Sequence, residues 1–252
     1  MKRLSGRSNT YASLLVSMLA ALLIIAVPPA VSAQENPGQN EQYRYPVTFV
    51  ETPPTVDGDL SDRAWEQAEI MGQFTQLEPD SGAPSTERTE VRLVYDSESL
   101  YISVYCYDSD PDGIVRNTLG YRDDDVYRKD DAIRIALDTF HDHRRAYVFS
   151  INPLGTKQDT QIDNNTWSQS WDAVTDVRTQ IHTDGWSLEF RIPFRVFRFP
   201  AGGGGVWGFN IQRVIQRKNE TASWAPMPPS FSLTRTDTYG HLDGMSGIAA
   251  TR

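Results

Sequence analysis

The chain of 252 residues reads as an all-β protein, a β-sandwich of jelly-roll type with one short helix near its start. Two observations predict this fold class. Five stretches, Glu90 to Tyr107, Ala132 to Asp138, Ala146 to Asn152, Trp186 to Ile192 and Trp207 to Val214, alternate apolar with polar residues, the period of a half-buried strand. Each is bounded by Gly, Pro, Asn or Asp, and strands at this spacing around a single early helix suit two packed sheets.

In chain order, Val47 to Val50 is a first strand and Asp57-Gly58 a turn. Ser61 is placed to cap a helix from Asp62 to Ala68, whose Ala64, Trp65 and Ala68 share one face, making Trp65 a core plug. Glu78 to Ser85, with two prolines and a glycine, is a loop. Val91, Leu93 and Tyr95 then share a face, Asp96 to Ser99 turns the chain, and Leu100 to Tyr107 returns it as a hairpin. Asp108 to Lys129 is a long acidic connection, a length that in a compact domain points to function or disorder. Past an interruption at Asn164 to Ser170, the turn Thr183-Asp184-Gly185 feeds Trp186, Leu188, Phe190 and Ile192 onto one face. The run Gly202 to Gly205 leads into the last strong strand.

The N-terminus has the layout of a secretory signal: basic Lys2, Arg3 and Arg7, an apolar run from Tyr11 to Val27, then Val31-Ser32-Ala33. Residues 1–33 are therefore expected to be removed on export, to the periplasm, the outer membrane or the outside of the cell. An uncleaved membrane anchor is the alternative. Residues 34–44, rich in Gln, Asn, Gly and Pro, are expected to be a disordered tether, with the domain at 45–252. The 24 basic residues face 33 acidic ones, a net charge of −9 that becomes −12 without the three bases of the leader. Such a balance disfavours nucleic acid as a partner. The single cysteine, Cys106, lies on the apolar face of its strand and excludes an internal disulfide.

Val56-Asp57-Gly58-Asp59-Leu60, Leu137-Asp138-Thr139-Phe140, Asn152-Pro153-Leu154-Gly155, Trp171-Asp172 and Gly208-Phe209-Asn210-Ile211-Gln212-Arg213 follow one another in an order that resembles the family 9 carbohydrate-binding modules. The variant at the N-terminus of long bacterial outer-membrane proteins is the most similar. The resemblance implies a non-catalytic module that binds the end of an oligo- or polysaccharide, a role in carbohydrate breakdown, and a hydrolase or outer-membrane partner. In its best understood members two tryptophans clamp a sugar that amides and charged groups hydrogen-bond. Carried over, the binding amides fall on Asn152 and Gln212. The first clamp position falls on Tyr127, the charged partner on Arg134 with inverted sign, and the second clamp beyond Trp224 at Phe231. Trp167 and Trp171, set among Asn, Gln and Ser, are further stacking candidates. The alternative is an interaction domain of an outer-membrane assembly whose sugar site has been lost.

Asp108, Asp110 and Asp112 imitate the acidic half of a calcium loop, although Leu119 stands where an EF-hand has its Glu. A calcium site of another type could draw further ligands from Asp123, Asp124 or Asp125; no other cofactor is expected. His141 and His143 beside Asp138 and Asp142 form a second metal candidate. Asp159, Asp163 and Glu189 are carboxylates a glycosidase could use if two faced one cleft, and Glu189 is expected to point to solvent or to Arg191. Met71, Met227 and Met245 would be the axial ligands of a haem-binding sandwich, but none is set against a His.

Overall fold

A computed structural model describes residues 40–120, 126–200 and 205–248, all within the unit Asn36–Arg252. The strands are β1 (Arg44–Pro46), β2 (Thr48–Phe49), β3 (Thr75–Glu78), β4 (Thr89–Tyr95) and β5 (Ser99–Tyr107). There follow β6 (Ala132–Asp138), β7 (Arg145–Ile151), β8 (Lys157–Asp163), β9 (Thr166–Ser168) and β10 (Asp176–His182). The chain closes with β11 (Gly185–Pro193), β12 (Trp207–Ile215), β13 (Glu220–Ser223) and β14 (Gly240–Asp243). The larger sheet runs β1-β14-β12-β6-β7-β8-β9, with β13 beside β12 and β3 beside β13, and the smaller runs β10-β11-β5-β4-β2. Among the described residues no helix is long and apolar enough to cross a membrane.

The strand periodicity accounts for the core. Ile133, Ile135, Phe149, Phe209 and Ile211 of the larger sheet meet Leu93, Ile102, Val104, Trp186, Leu188 and Phe190 of the smaller, each 1% exposed or less. Each such side chain contributes roughly 1.5–3 kcal/mol by leaving water. Phe149 meets Phe190 edge-on across the interface at 4.9 Å. The N-terminal segment ties the sheets together, since Tyr45 pairs in parallel with Leu242 and Thr48 with Val94. Asn40, expected in the tether, is instead buried, its amide donating to the carbonyls of Pro226 and Thr238.

Several elements differ from the sequence expectation. The first helix, α1, spans Arg63–Glu66 with Asp62 as its cap and no side-chain cap bond, because the Asp62 carboxylate accepts from the Thr55 N–H instead. Trp65 is the expected plug, filling a small cluster with Val50, Ala64, Ala68, Val94 and Tyr101 on the outer face of the smaller sheet. A second one-turn helix, α2 (Val126–Lys129), lies in the long acidic connection. Strands β8 and β10 were not legible because Lys157–Asp163 and Asp176–His182 carry few apolar residues. Neighbouring backbones hold them through full ladders to β7 and β11. Residues Gly202 to Gly204 lie outside the described residues.

The largest difference concerns the outer face of the larger sheet, expected to be open. β6 and β12 are buried at every position. Leu77, Met227, Leu233 and Tyr239 cover Ala136, Ala146, Val148 and Ile162 on that face, forming a second apolar cluster. Beyond this cover, toward α2 and β9, the face opens into a cleft.

Candidate functional site

Strand register builds the cleft. Gln212, Arg134, Ser150 and Gln158 stand in one row across β12, β6, β7 and β8. Alternation sends all four to the outer face, away from Ile133, Ile135, Phe149 and Ile151. Helix α2 sets Tyr127 and Arg128 at one side of this row, and β9 sets Trp167 at the other. Together with Thr160 and Gln169 they enclose about 290 Å³, at the lower edge of the range for small-molecule sites. Trp167 is 39% exposed, while Arg134 is 8% exposed and forms the floor.

The Arg134 guanidinium lies 3.9 Å from the centre of the Tyr127 ring and 5.8 Å from that of Trp167, both within cation–π range. Its Nη1 donates to Gln212 Oε1 at 3.2 Å, and the Gln212 amide nitrogen faces Met227 Sδ at 3.7 Å. Gln212 is thus buried beneath the floor and holds Arg134 in place. The lining contains aromatic, amide, hydroxyl and guanidinium groups but no carboxylate. It can stack on a ring and hydrogen-bond hydroxyls; a pair of acids for glycoside cleavage is not part of it.

Of the residues proposed from sequence, Tyr127, Arg134 and Trp167 come together here, with Gln212 underneath. The others do not. Asn152 is fully buried: its amide donates to the Thr118 carbonyl at 2.8 Å and to Asp130 Oδ2 at 2.7 Å, and its oxygen accepts from Leu154 and Thr156 N–H. It ties a turn to the segment before α2 rather than facing a ligand. Trp171 packs on Tyr147 and Phe149, with ring centres 4.7 and 5.5 Å apart, and borders a different cleft beside Arg145 and Phe197. Trp224 is a core residue, edge-on to Tyr43 and tilted against Phe209. Phe231 packs on the second apolar cluster under the Arg235 guanidinium. Sequence reasoning missed Gln158 and Thr160 as cleft walls; the register of Gln158 with Ser150 and Arg134, and of Thr160 two residues on, is the signal, and it requires knowing how β6, β7 and β8 pair.

Of the expected calcium ligands Asp108, Asp110 and Asp112, the first has another role. Asp108 is 5% exposed and its carboxylate is engaged by Arg217 and, at 3.5 Å, by Arg213, so its charge is already matched. Asp110 and Asp112 are exposed. Among the described residues no three His, Cys, Asp or Glu side chains gather as a metal site, and Asp123 to Asp125 lie outside them. His141 and His143 do not form one either: His141 Nε2 meets His241 Nδ1 at 3.0 Å, and Asp138 accepts from the backbone of Phe140 and His143. Glu189, expected at the surface, is fully buried and accepts from Asp57 N–H, Gly58 N–H and Trp65 Nε1. Cys106 is buried as read, its thiol pushed up to about 12 by desolvation. Met71, Met227 and Met245 are all buried apolar residues.

Beside the Asp108 cluster, Asp131 yields a pH prediction. Its Oδ1 accepts from Gln216 N–H at 2.8 Å, while its buried Oδ2 has no hydrogen-bond partner. Burial raises its pKa from 3.8 to about 6. Between those values the folded state holds a proton that the unfolded chain has released, so stability falls as pH rises through the window. Asp131→Asn keeps the acceptor and is expected to stabilise the protein at pH 7 by about 1–3 kcal/mol while flattening that slope. Urea melts at several pH values check this, and an unchanged slope refutes it.

Comparisons with known proteins agree with the geometry of the fold. The model of the carbohydrate family 9 binding domain-like family matches residues 56–240. A family 9 carbohydrate-binding module from Caldicellulosiruptor kristjanssonii, solved with glucose, superposes with a TM-score of 0.57 at 17% identity, covering 79% of this chain and 94% of that one. A structure of a family 9 module from the same organism with cellotriose gives 0.58 at 18% identity, covering 83% and 98%. A protein of Bacteroides uniformis ATCC 8492 described as a candidate carbohydrate binder gives 0.64 at 14% identity, covering 79% and 97%. Comparison with curated proteins returns no match. With its two-sheet sandwich and a family match over most of the folded part, the chain belongs to the carbohydrate family 9 binding domain-like family.

Proposed function

We propose that this protein is a non-catalytic carbohydrate-binding module whose ligand enters the cleft between Tyr127 and Trp167. The observation that carries the reading is the placement of two aromatic rings on either side of a polar row, Arg134, Ser150 and Gln158, on the sheet face. A sugar presents an apolar ring face to an aromatic side chain and hydroxyls to amides and guanidinium, which are the two kinds of surface found here. The small cleft suits the end of a chain rather than a long stretch of it. Sugars bound by modules of like fold, glucose and cellotriose, favour the same ligand class.

A glycan array followed by calorimetry on the domain tests the reading. Trp167→Ala is expected to weaken binding on the order of tenfold or more, with an unchanged melting temperature because the ring is partly exposed. Unaltered affinity in this variant, or no bound glycan, would reject the site. Reducing-sugar release from the same glycans should stay at background.

We further propose export, with cleavage near Ala33, and a working place in the envelope or outside the cell beside a polysaccharide hydrolase or an outer-membrane partner. The basic, apolar and small-residue sequence of residues 1–33 supports this. Mass spectrometry of the natural protein should find Gln34 or a close neighbour as its first residue; an intact Met1 would refute cleavage.

A further inference from the structure

Arg134 differs from the other interior cations of this fold. Arg213 is paired with Asp108 and donates to the Tyr107 carbonyl, Lys157 lies 2.8 Å from Asp159, and Arg217 bridges Glu87 and Asp108. Each has a carboxylate, as a charge taken out of water requires. Arg134 is 8% exposed, yet among the described residues its hydrogen bonding is limited to the neutral oxygen of Gln212. Its Nε is buried with no hydrogen-bond partner, and no carboxylate of the described residues lies within ion-pair distance. The aromatic faces of Tyr127 and Trp167 compensate it in part.

Arg134 therefore sets a positive group in the cleft floor of a chain whose net charge is −9. A neutral sugar asks its site for acceptors as well as donors, because every hydroxyl carries a proton to donate. An Arg side chain offers donors alone, in a planar fork that matches a carboxylate. Among the described residues the cleft lining holds no anion to match it.

We propose that the cleft selects an acidic sugar, a uronic acid at the end of a glycan, with its carboxylate on Arg134 and its ring against Trp167 and Tyr127. This rests on the carbohydrate-binding reading and narrows it to a ligand class. The carboxylate would supply the buried guanidinium with the partner that the other interior cations already have, and the two aromatic walls would hold the ring that bears it.

The test is a matched-pair titration by calorimetry of the folded domain: methyl β-D-glucuronide against methyl β-D-glucoside, and methyl α-D-galacturonide against methyl α-D-galactoside. The acidic member of at least one pair should bind about tenfold tighter or more, the effect of one charge-assisted contact. Arg134→Gln, which keeps an amide beside Gln212, should bring both members of that pair to a similar affinity; its melting curve reports whether it folds. Equal or tighter binding of the neutral members to the natural protein overturns the acidic assignment while leaving the carbohydrate-binding reading intact. A preference for acid that survives in folded Arg134→Gln overturns the role given to Arg134. Failure of all four sugars, and of every glycan on a broad array, removes both readings together. The comparison on the natural protein decides the ligand class even if the variant does not fold.

Discussion

Asn152→Ala is expected to destabilise the domain by roughly 3–5 kcal/mol, because four hydrogen bonds are lost at once, those with Asp130 and Thr156 fully buried and those with Thr118 and Leu154 half-buried. The Thr118 carbonyl and Asp130 Oδ2 lose a donor, and the Leu154 and Thr156 N–H groups lose an acceptor. For a domain of this size the melting temperature should fall by about 6–20 °C. Asp130 also accepts from Asn117 and Thr118 N–H, so the amide and this carboxylate together pin the chain leading toward α2. Asn152→Asp should be little better, since it sets a second carboxylate where the amide now lies 2.7 Å from Asp130 Oδ2. Denaturant melts measure both variants. A variant that melts like the natural protein but no longer binds sugar would return Asn152 to the role of ligand contact.

Glu189→Ala should cost a similar amount, roughly 3–5 kcal/mol, through another buried acceptor. Its two carboxylate oxygens collect three donors: Trp65 Nε1 at 2.9 Å on one, and Asp57 N–H at 2.9 Å with Gly58 N–H at 2.8 Å on the other. These contacts clamp the N-terminal turn and α1 onto the outer face of the smaller sheet. Their loss leaves the buried Gly58 N–H and Trp65 Nε1 without an acceptor, while the Asp57 N–H keeps the Thr55 carbonyl at 3.1 Å, and it loosens Trp65 from the cluster it fills. Glu189→Gln keeps one carbonyl oxygen but aims an NH2 group at part of the donor set, so it should fall between the natural protein and alanine. Limited proteolysis should show early cutting between residues 50 and 70 in the alanine variant; uniform protection there, with an unchanged melting temperature, would refute the clamp.

Both predictions concern polar residues that the sequence misplaced, and for the same reason. Alternation assigns each residue of a strand to one face or the other, and it did so correctly for Asn152, Gln212 and Glu189: all lie opposite the inter-sheet core. It does not say what covers the second face. Here Thr118 and Asp130 seal Asn152, Met227 lies against Gln212, and the turn at Asp57 with Trp65 seals Glu189. The Asp108 error has the same origin, since Arg213 and Arg217 reach it from over a hundred residues away.

What the sequence by itself determined is the set of local facts. The hairpin of β4 and β5, the turn Thr183-Asp184-Gly185 with the strand β11 that follows it, the apolar inner faces, the Trp65 plug and the burial of Cys106 follow from period-2 alternation, turn chemistry and helical spacing, all confined to a few neighbouring residues. Residue order through the family motifs also pointed to Tyr127 and Arg134, and the polar neighbours of Trp167 pointed to that ring. Tertiary structure alone decided that these three share a cleft, that Trp171 packs on the core edge beside a different cleft and that Trp224 belongs to the core. It also left Arg134 nearly buried between two rings with no carboxylate among the described residues. The physical reason is that burial and charge pairing depend on which distant segments pack over a strand, and the pattern within the strand is the same whether water or another segment lies above it.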